Sequence, residues 1–174
     1  MSMTKEKKRA VILVEDMYED LEFWYPYYRL QEAGLEVTIV APEKGQTYTS
    51  KHSYPVTAEA APKDVEPSEV DVLVVPGGYA PDKLRRHDSI VEFVRAVGGG
   101  DAVVATICHG GWVLISAGLT RGKRMTSFFA IKDDLVNSGA EFVDEPVVVD
   151  GNLVSSRFPP DLPVFVKAIL GQLS

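Results

Sequence analysis

The chain has 174 residues, of which 45% are hydrophobic and 25% charged, the composition of a globular protein with a full-sized core. A formal net charge of −7 argues against non-specific nucleic-acid binding, and the basic residues among positions 5–9 read as part of a solvated tail over 1–8. One cysteine excludes an intramolecular disulfide, no apolar run reaches the length of a membrane span, and the first residues lack a signal-peptide core. A single cytoplasmic domain over 1–174, with no membrane or nucleic-acid partner, is therefore expected.

Residues 9–14, apolar after Arg9, predict a buried strand, left through the loop 15–18. From Glu19 onward Leu21, Trp24, Tyr25 and Tyr28 recur at helical spacing up to a stop at Ala33-Gly34, with Pro26 expected to kink the helix or remove one of its hydrogen bonds. A second strand follows at 37–41, and 42–62 reads as an excursion with a short hairpin. The third strand, 70–75, ends in Pro76-Gly77-Gly78, where backbone N–H groups could meet a ligand or simply form a tight turn. A helix over 89–97 closes at Gly98-Gly99-Gly100.

The stretch 102–112 carries the chemistry. Ala102–Ile107 has the uncharged, β-branched character of an interior parallel strand. Cys108 follows at once, then His109, Gly110 and Gly111, and the spacing predicts a helix beginning at the cysteine and stopping at Ala117-Gly118. Thr106-Ile107-Cys108-His109-Gly110 has the small-x-nucleophile-x-Gly form of a nucleophile elbow, with sulfur in place of oxygen. A thiol at a helix N-terminus faces free N–H groups and the positive end of the dipole, so a lowered pKa and an oxyanion site are expected. Glycines at 110 and 111 would let a substrate approach the backbone. The alternative is that Cys108 is only a small buried hydrophobe.

Beyond the elbow, 125–127 predicts a short strand and 130–137 a helix. Residues 147–156 predict a hairpin turning at Asp150-Gly151, and Leu162, Phe165, Val166, Ile169 and Leu173 form one face of a last helix. Strands alternating with helices imply a mostly parallel sheet covered on both faces, with ligands beyond the carboxyl ends of its strands. The loop 15–19, the Gly77-Gly78 turn and Cys108 all lie at such ends.

Ala105–Gly110 resembles the Ala-x-Ile-Cys-His-Gly elbow of the ThiJ/PfpI superfamily. Glu19-Asp20-Leu21-Glu22, Pro76–Asp82, Leu114–Gly118, Ile131–Asp134 and Val149–Asn152 extend the likeness in order along nearly the whole chain, and the PfpI-like protease and deglycase branch is the nearest. The resemblance implies an α/β fold, a flavodoxin-like three-layer sandwich with a nucleophile elbow. It implies Cys108 as nucleophile, Glu19 as a largely protonated carboxyl bonded to the sulfur, and His109 as acid/base. It also implies that Asp82 reaches the histidine of another subunit in a homodimer or hexamer. Gly77, Gly78 and Gly110 would bind oxyanion or substrate, beside Phe128 where relatives commonly carry tyrosine.

The residues alone support these roles unevenly. Glu19 competes with Glu15, Asp16, Asp20 and Glu22, any of which could simply complement a helix N-terminus. Adjacent residues do not face each other on a regular helix, so Cys108 and His109 cooperate only if the elbow breaks that geometry. His52 and His87 read as structural or solvated. No residue set has metal-ligand spacing and Gly77-Gly78 lacks the phosphate-loop pattern, so no metal or cofactor is expected. Three functions are compatible: a cysteine-dependent glyoxalase or deglycase acting on small dicarbonyls or their protein adducts, a cysteine peptidase, and a non-enzymatic redox sensor or chaperone.

Overall fold

The computed structural model describes residues 7–173. The first strand, β1 (Arg9–Leu13), leads into α1 (Asp20–Glu32) and β2 (Glu36–Val40). The excursion holds the expected hairpin, β3 (Thr47–Thr49) and β4 (Pro55–Thr57). Next come β5 (Val72–Val75), α2 (Ala80–Leu84), α3 (Asp88–Gly98) and the elbow strand β6 (Val103–Ile107). After it run α4 (Gly111–Ala117), β7 (Arg124–Met125), α5 (Lys132–Asn137) and β8 (Glu141–Phe142). The hairpin β9 (Val147–Asp150) and β10 (Leu153–Ser156) precedes α6 (Leu162–Gly171). The tail expected over 1–8 falls, up to residue 6, outside the described residues; Lys8 is tied to the sheet, its carbonyl accepting from Glu36 N–H at 2.9 Å.

Six strands form the central sheet in the order β2-β1-β5-β6-β10-β9, all neighbours parallel except the antiparallel edge strand β9. Because successive side chains in a strand point to opposite faces, β1 divides its residues between two cores. Ala10 and Ile12 join Phe23, Leu30, Phe165 and Ile169 under α1 and α6. Val11 and Leu13 join Ile90, Phe93, Val94, Val113, Leu114 and Leu135 under α3, α4 and α5. The result is the expected three-layer α/β sandwich. Among the described residues no helix is long and apolar enough to cross a membrane.

Three elements differ from the sequence expectation. Residues 80–84 form α2, started by Pro81 in the first turn, where its missing N–H costs nothing. The strand expected at 125–127 is Arg124–Met125, paired in parallel with β8. The largest difference is in α1. Leu21 and Tyr28 are 57% and 59% exposed, whereas Glu22, Phe23, Pro26 and Leu30 are buried. The helix therefore turns a different face inward from the one that apolar residue type suggests; it runs unbroken through Pro26, which, as expected, withholds one N–H from the helix.

From β1 the chain moves to β2 on one side and then crosses back to β5 on the other, so the topological switch lies at the carboxyl ends of β1 and β5. Gly110 shows how tightly the elbow is seated there. A Cβ at Gly110 would lie 2.4 Å from both the Val75 carbonyl oxygen and Thr106 Oγ1. Gly110→Ala should therefore destabilise the protein by about 2 kcal/mol or more. Gly171→Ala, with nothing within 4 Å, should be neutral or slightly stabilising. Urea midpoints of the two variants against wild type check the contrast.

Candidate active site

The loops leaving β1 and β5 are sewn together by backbone hydrogen bonds. Glu19 N–H donates to the Gly77 carbonyl at 3.2 Å, Tyr79 N–H to that of Met17 at 2.9 Å, and Tyr18 bridges Gly78. Gly78 holds φ +78°, and a Cβ there would meet Met17 O and Glu19 N at 2.5 Å, so only glycine fits. This seam sets the first turn of α1 directly against Gly77.

Glu22, not Glu19, is the carboxyl beside the sulfur. Glu19 is the N-cap of α1; its Oε1 accepts from Leu21 N–H at 3.2 Å and its Oε2 faces Lys51 Nζ at 3.4 Å. Glu22, at the third helical position, points inward and is fully buried. Its Oε2 accepts from Gly77 N–H at 2.8 Å, Oε1 has no hydrogen-bond partner among the described residues, and the carboxyl is close enough to Cys108 for each to shift the other's protonation. A Cβ at Gly77 would lie 2.4 Å from Glu22 Oε2, 2.7 Å from Cys108 Cβ and 3.1 Å from Cys108 Sγ. The expected role of Gly77 changes accordingly: its N–H is taken by Glu22, and its missing side chain is what lets carboxyl and sulfur meet.

Cys108 sits at φ +60°, the left-handed region that non-glycine residues rarely adopt. The α-helix does not begin at the cysteine; a tight 3₁₀ turn over Cys108–Gly110 intervenes before α4. This backbone breaks helical geometry and lets neighbouring side chains meet, with Cys108 Sγ 3.2 Å from His109 Nδ1. Gly110 is not a ligand-facing glycine, since its Cα is pressed against Val75 and Thr106, and Gly111 likewise packs toward Ile131 and Leu135.

The electrostatics also differ from expectation. The N–H groups of Gly78 and His109 donate to the sulfur and favour thiolate, but burial and the Glu22 carboxylate outweigh them and push the thiol up. Burial raises Glu22 from 4.5 to about 8, against the pull of the Gly77 N–H. Sulfur and carboxyl therefore titrate as a coupled pair. The His109 imidazole is held below its ordinary value by burial first and by Lys51 second, which keeps it neutral, with a free nitrogen lone pair, at neutral pH.

Phe128 stacks on His109 with ring centroids 5.1 Å apart, and its N–H donates to the Cys108 carbonyl at 3.2 Å. Asp82 forms an ion pair with Arg86 and lines a surface groove of about 410 Å³ with Arg85, Trp112 and Asp134. His52 pairs with Asp20 at 2.8 Å and His87 with Glu15 at 3.3 Å. Among the described residues no group of three or more His, Cys, Asp or Glu is placed to hold a metal ion.

A cysteine on a strained strand-to-helix turn, at the switch point of a parallel sheet, with histidine and buried carboxyl in contact, defines an α/β protein of the nucleophile-elbow class. The chain belongs to the DJ-1/PfpI family, whose family model matches residues 8–172. It is 46% identical over 159 residues to a deglycase of Pyrococcus abyssi, covering 91% of this chain and 95% of that one. It is 40% identical over 165 residues to protein/nucleic acid deglycase 2 of Escherichia coli, covering 94% and 96%. Among solved structures, a two-domain protein of Anabaena variabilis with DJ-1/ThiJ/PfpI-like and ferritin-like domains superposes with a TM-score of 0.94 at 43% identity. The match covers 96% of this chain and 48% of that one, so this chain spans about half of the two-domain protein.

A raised carboxyl makes stability depend on pH in a definite direction. Between pH 4.5 and about 8 the folded state keeps the Glu22 proton that the unfolded chain has lost. The unfolded state then binds fewer protons, and stability falls as pH rises through that window, by up to about 1.4 kcal/mol per pH unit. Glu22→Gln, whose amide oxygen can still accept from Gly77, should remove this slope. Urea unfolding of both proteins at pH 5, 6.5 and 8 measures it.

Proposed function

We propose that this protein is a cytoplasmic cysteine-dependent deglycase and glyoxalase, acting on small dicarbonyls or on their adducts with protein amines and thiols. The observation that carries the reading is Cys108 Sγ set between a neutral imidazole at 3.2 Å and a buried, protonated carboxyl. The deglycase relatives at 40–46% identity support it.

His109 Nδ1 accepts the thiol proton as sulfur bonds to the aldehyde carbon of a methylglyoxal-like substrate. The N–H groups of Gly78 and His109, already aimed at the sulfur, lie beside the oxygen that becomes negative. Glu22 gives its proton to that oxygen, completing a hemithioacetal and leaving a carboxylate. The carboxylate takes the hydrogen of the aldehyde carbon, and a proton shift between the two oxygens of the enediolate follows. Glu22 then returns the proton to the second carbon, which leaves a thioester of the hydroxy acid. Water cleaves the thioester: its hydroxyl goes to the carbonyl carbon, its proton to Glu22, and protonated His109 restores the thiol. The sum is one dicarbonyl plus one water giving one hydroxy acid. With a hemiaminal adduct of an amine, His109 takes the thiol proton as sulfur bonds to the same carbon, the C–N bond breaks and Glu22 gives its proton to the departing amine, which leaves the same hemithioacetal and carboxylate.

A peptidase would need an acid to orient His109, and within one chain Asp82 is engaged by Arg86. Assembly as a homodimer or hexamer, with Asp82 of the partner subunit approaching His109, would supply one.

Cys108→Ser and Glu22→Gln should each abolish methylglyoxal conversion, while Glu19→Gln should keep most of it; a hydroxy-acid assay on folded variants decides. Loss on Glu19→Gln with retention on Glu22→Gln would reverse the assignment. The pH–rate profile should be a bell. Activity rises as His109 becomes neutral, below the ordinary histidine value, and falls as Glu22 loses its proton near pH 8.

A further inference from the structure

His109 is oriented by rings rather than by an acid of its own chain. Among the described residues its only side-chain hydrogen-bond partner is Cys108, at Nδ1. Phe128 stacks on the imidazole with an interplanar angle of 30°. Trp112 meets it edge-on, with centroids 5.0 Å apart and 65° between planes. The indole is itself held twice. Its Nε1–H donates to Asp134 at 2.8 Å, and the Arg85 guanidinium lies 5.9 Å from its centroid, anchored by Nε–H to Ser116 Oγ at 2.9 Å. The helix α5 packs closely on α4 here, Ile131 Cδ1 and Leu135 Cδ2 lying within van der Waals reach of Gly111, and Asp134 reaches the indole.

We propose that Trp112 is a positioning residue for His109: Asp134 and Arg85 lock the indole, and the indole with Phe128 fixes the imidazole plane that presents Nδ1 to Cys108. An imidazole has a freely sampled second torsion and two tautomers unless neighbours restrict it. Two aromatic contacts restrict the torsion, and the sulfur at Nδ1 selects the tautomer. The charged or titratable groups facing the imidazole are Cys108 and, from the loop after β3, Lys51; Glu22 of α1 acts through the sulfur. Phe128 and Trp112 bring burial and no charge. The proposal rests on Cys108 and His109 being the reacting pair, but its primary readout needs no turnover.

The test is nitrogen NMR of the His109 ring in reduced protein, titrated from pH 5 to 9, for wild type, Trp112→Leu, Trp112→Phe and Asp134→Ala. Wild type should show one dominant tautomer. Trp112→Leu should show tautomers mixed toward those of free histidine, with the midpoint moved up as burial is lost. Trp112→Phe, which keeps an aromatic edge, should restore much of the wild-type spectrum. Asp134→Ala, at an exposed position that does not touch His109, should shift the spectrum the same way by less. If wild type converts methylglyoxal, Trp112→Leu should lower kcat about tenfold at little-changed KM. An unchanged tautomer and midpoint in folded Trp112→Leu would overturn the proposal. If that variant does not fold, an Asp134→Ala spectrum identical to wild type overturns it. A wild type without methylglyoxal activity would sink the proposed reaction and leave the ring titration to judge Trp112.

Discussion

Three stretches of backbone converge where Gly77 carries no side chain, and the site depends on that contact. The helix α1 supplies a carboxyl, the elbow supplies a sulfur, and the loop after β5 passes between them with room for a hydrogen atom only. The Gly77 N–H then donates to Glu22 at 2.8 Å, so one peptide both separates and orients the reacting groups. The seam between the loops leaving β1 and β5 keeps the three in place, and it requires the left-handed backbone of Gly78.

Burial determines the charge of what is held there. A fully buried carboxyl and a partly buried thiol both resist ionisation, and each makes the other's ionisation harder. The N–H groups of Gly78 and His109 are too few to reverse this. The resting site is thus nearly uncharged, and the charges of the reaction arise only when the histidine accepts a proton. A neutral histidine suits that task, and burial among aromatic rings keeps it neutral.

The parts of the site legible in the sequence are those encoded locally. Cys108, His109, Gly78 and Phe128 are set by a strand, its abrupt end and the turns beside it, and the alternating apolar strands reveal the layered sheet. Glu22 was hidden by helical phase. Leu21, Trp24, Tyr25 and Tyr28 suggest the inner face of α1 by residue type, yet Leu21 and Tyr28 lie mostly in solvent. The true inner stripe, Glu22, Pro26 and Leu30, joined by Phe23, contains a carboxyl and a proline, two residues that composition assigns to a surface or a kink. A charged residue in phase with Leu30 at i and i+8 was the available signal. The Trp112–Asp134 contact had none, because it joins residues far apart in the chain through the packing of α4 on α5. The short α2 and the two-residue strands β7 and β8 are too brief to show a period.

The position of β6 within the sheet also governs when the site can exist. The elbow strand pairs with β5 on one side and with β10 on the other, and β10 is the last strand among the described residues. On the ribosome the first five strands emerge well before Leu153–Ser156, and until then β6 has an open edge with unpaired N–H and C=O groups. The strained Cys108 backbone rests on that strand, so the nucleophile is fully braced only once β10 has been made. A nascent chain thus carries the Cys108 thiol unformed as a reactive centre until the last strand of the central sheet is made.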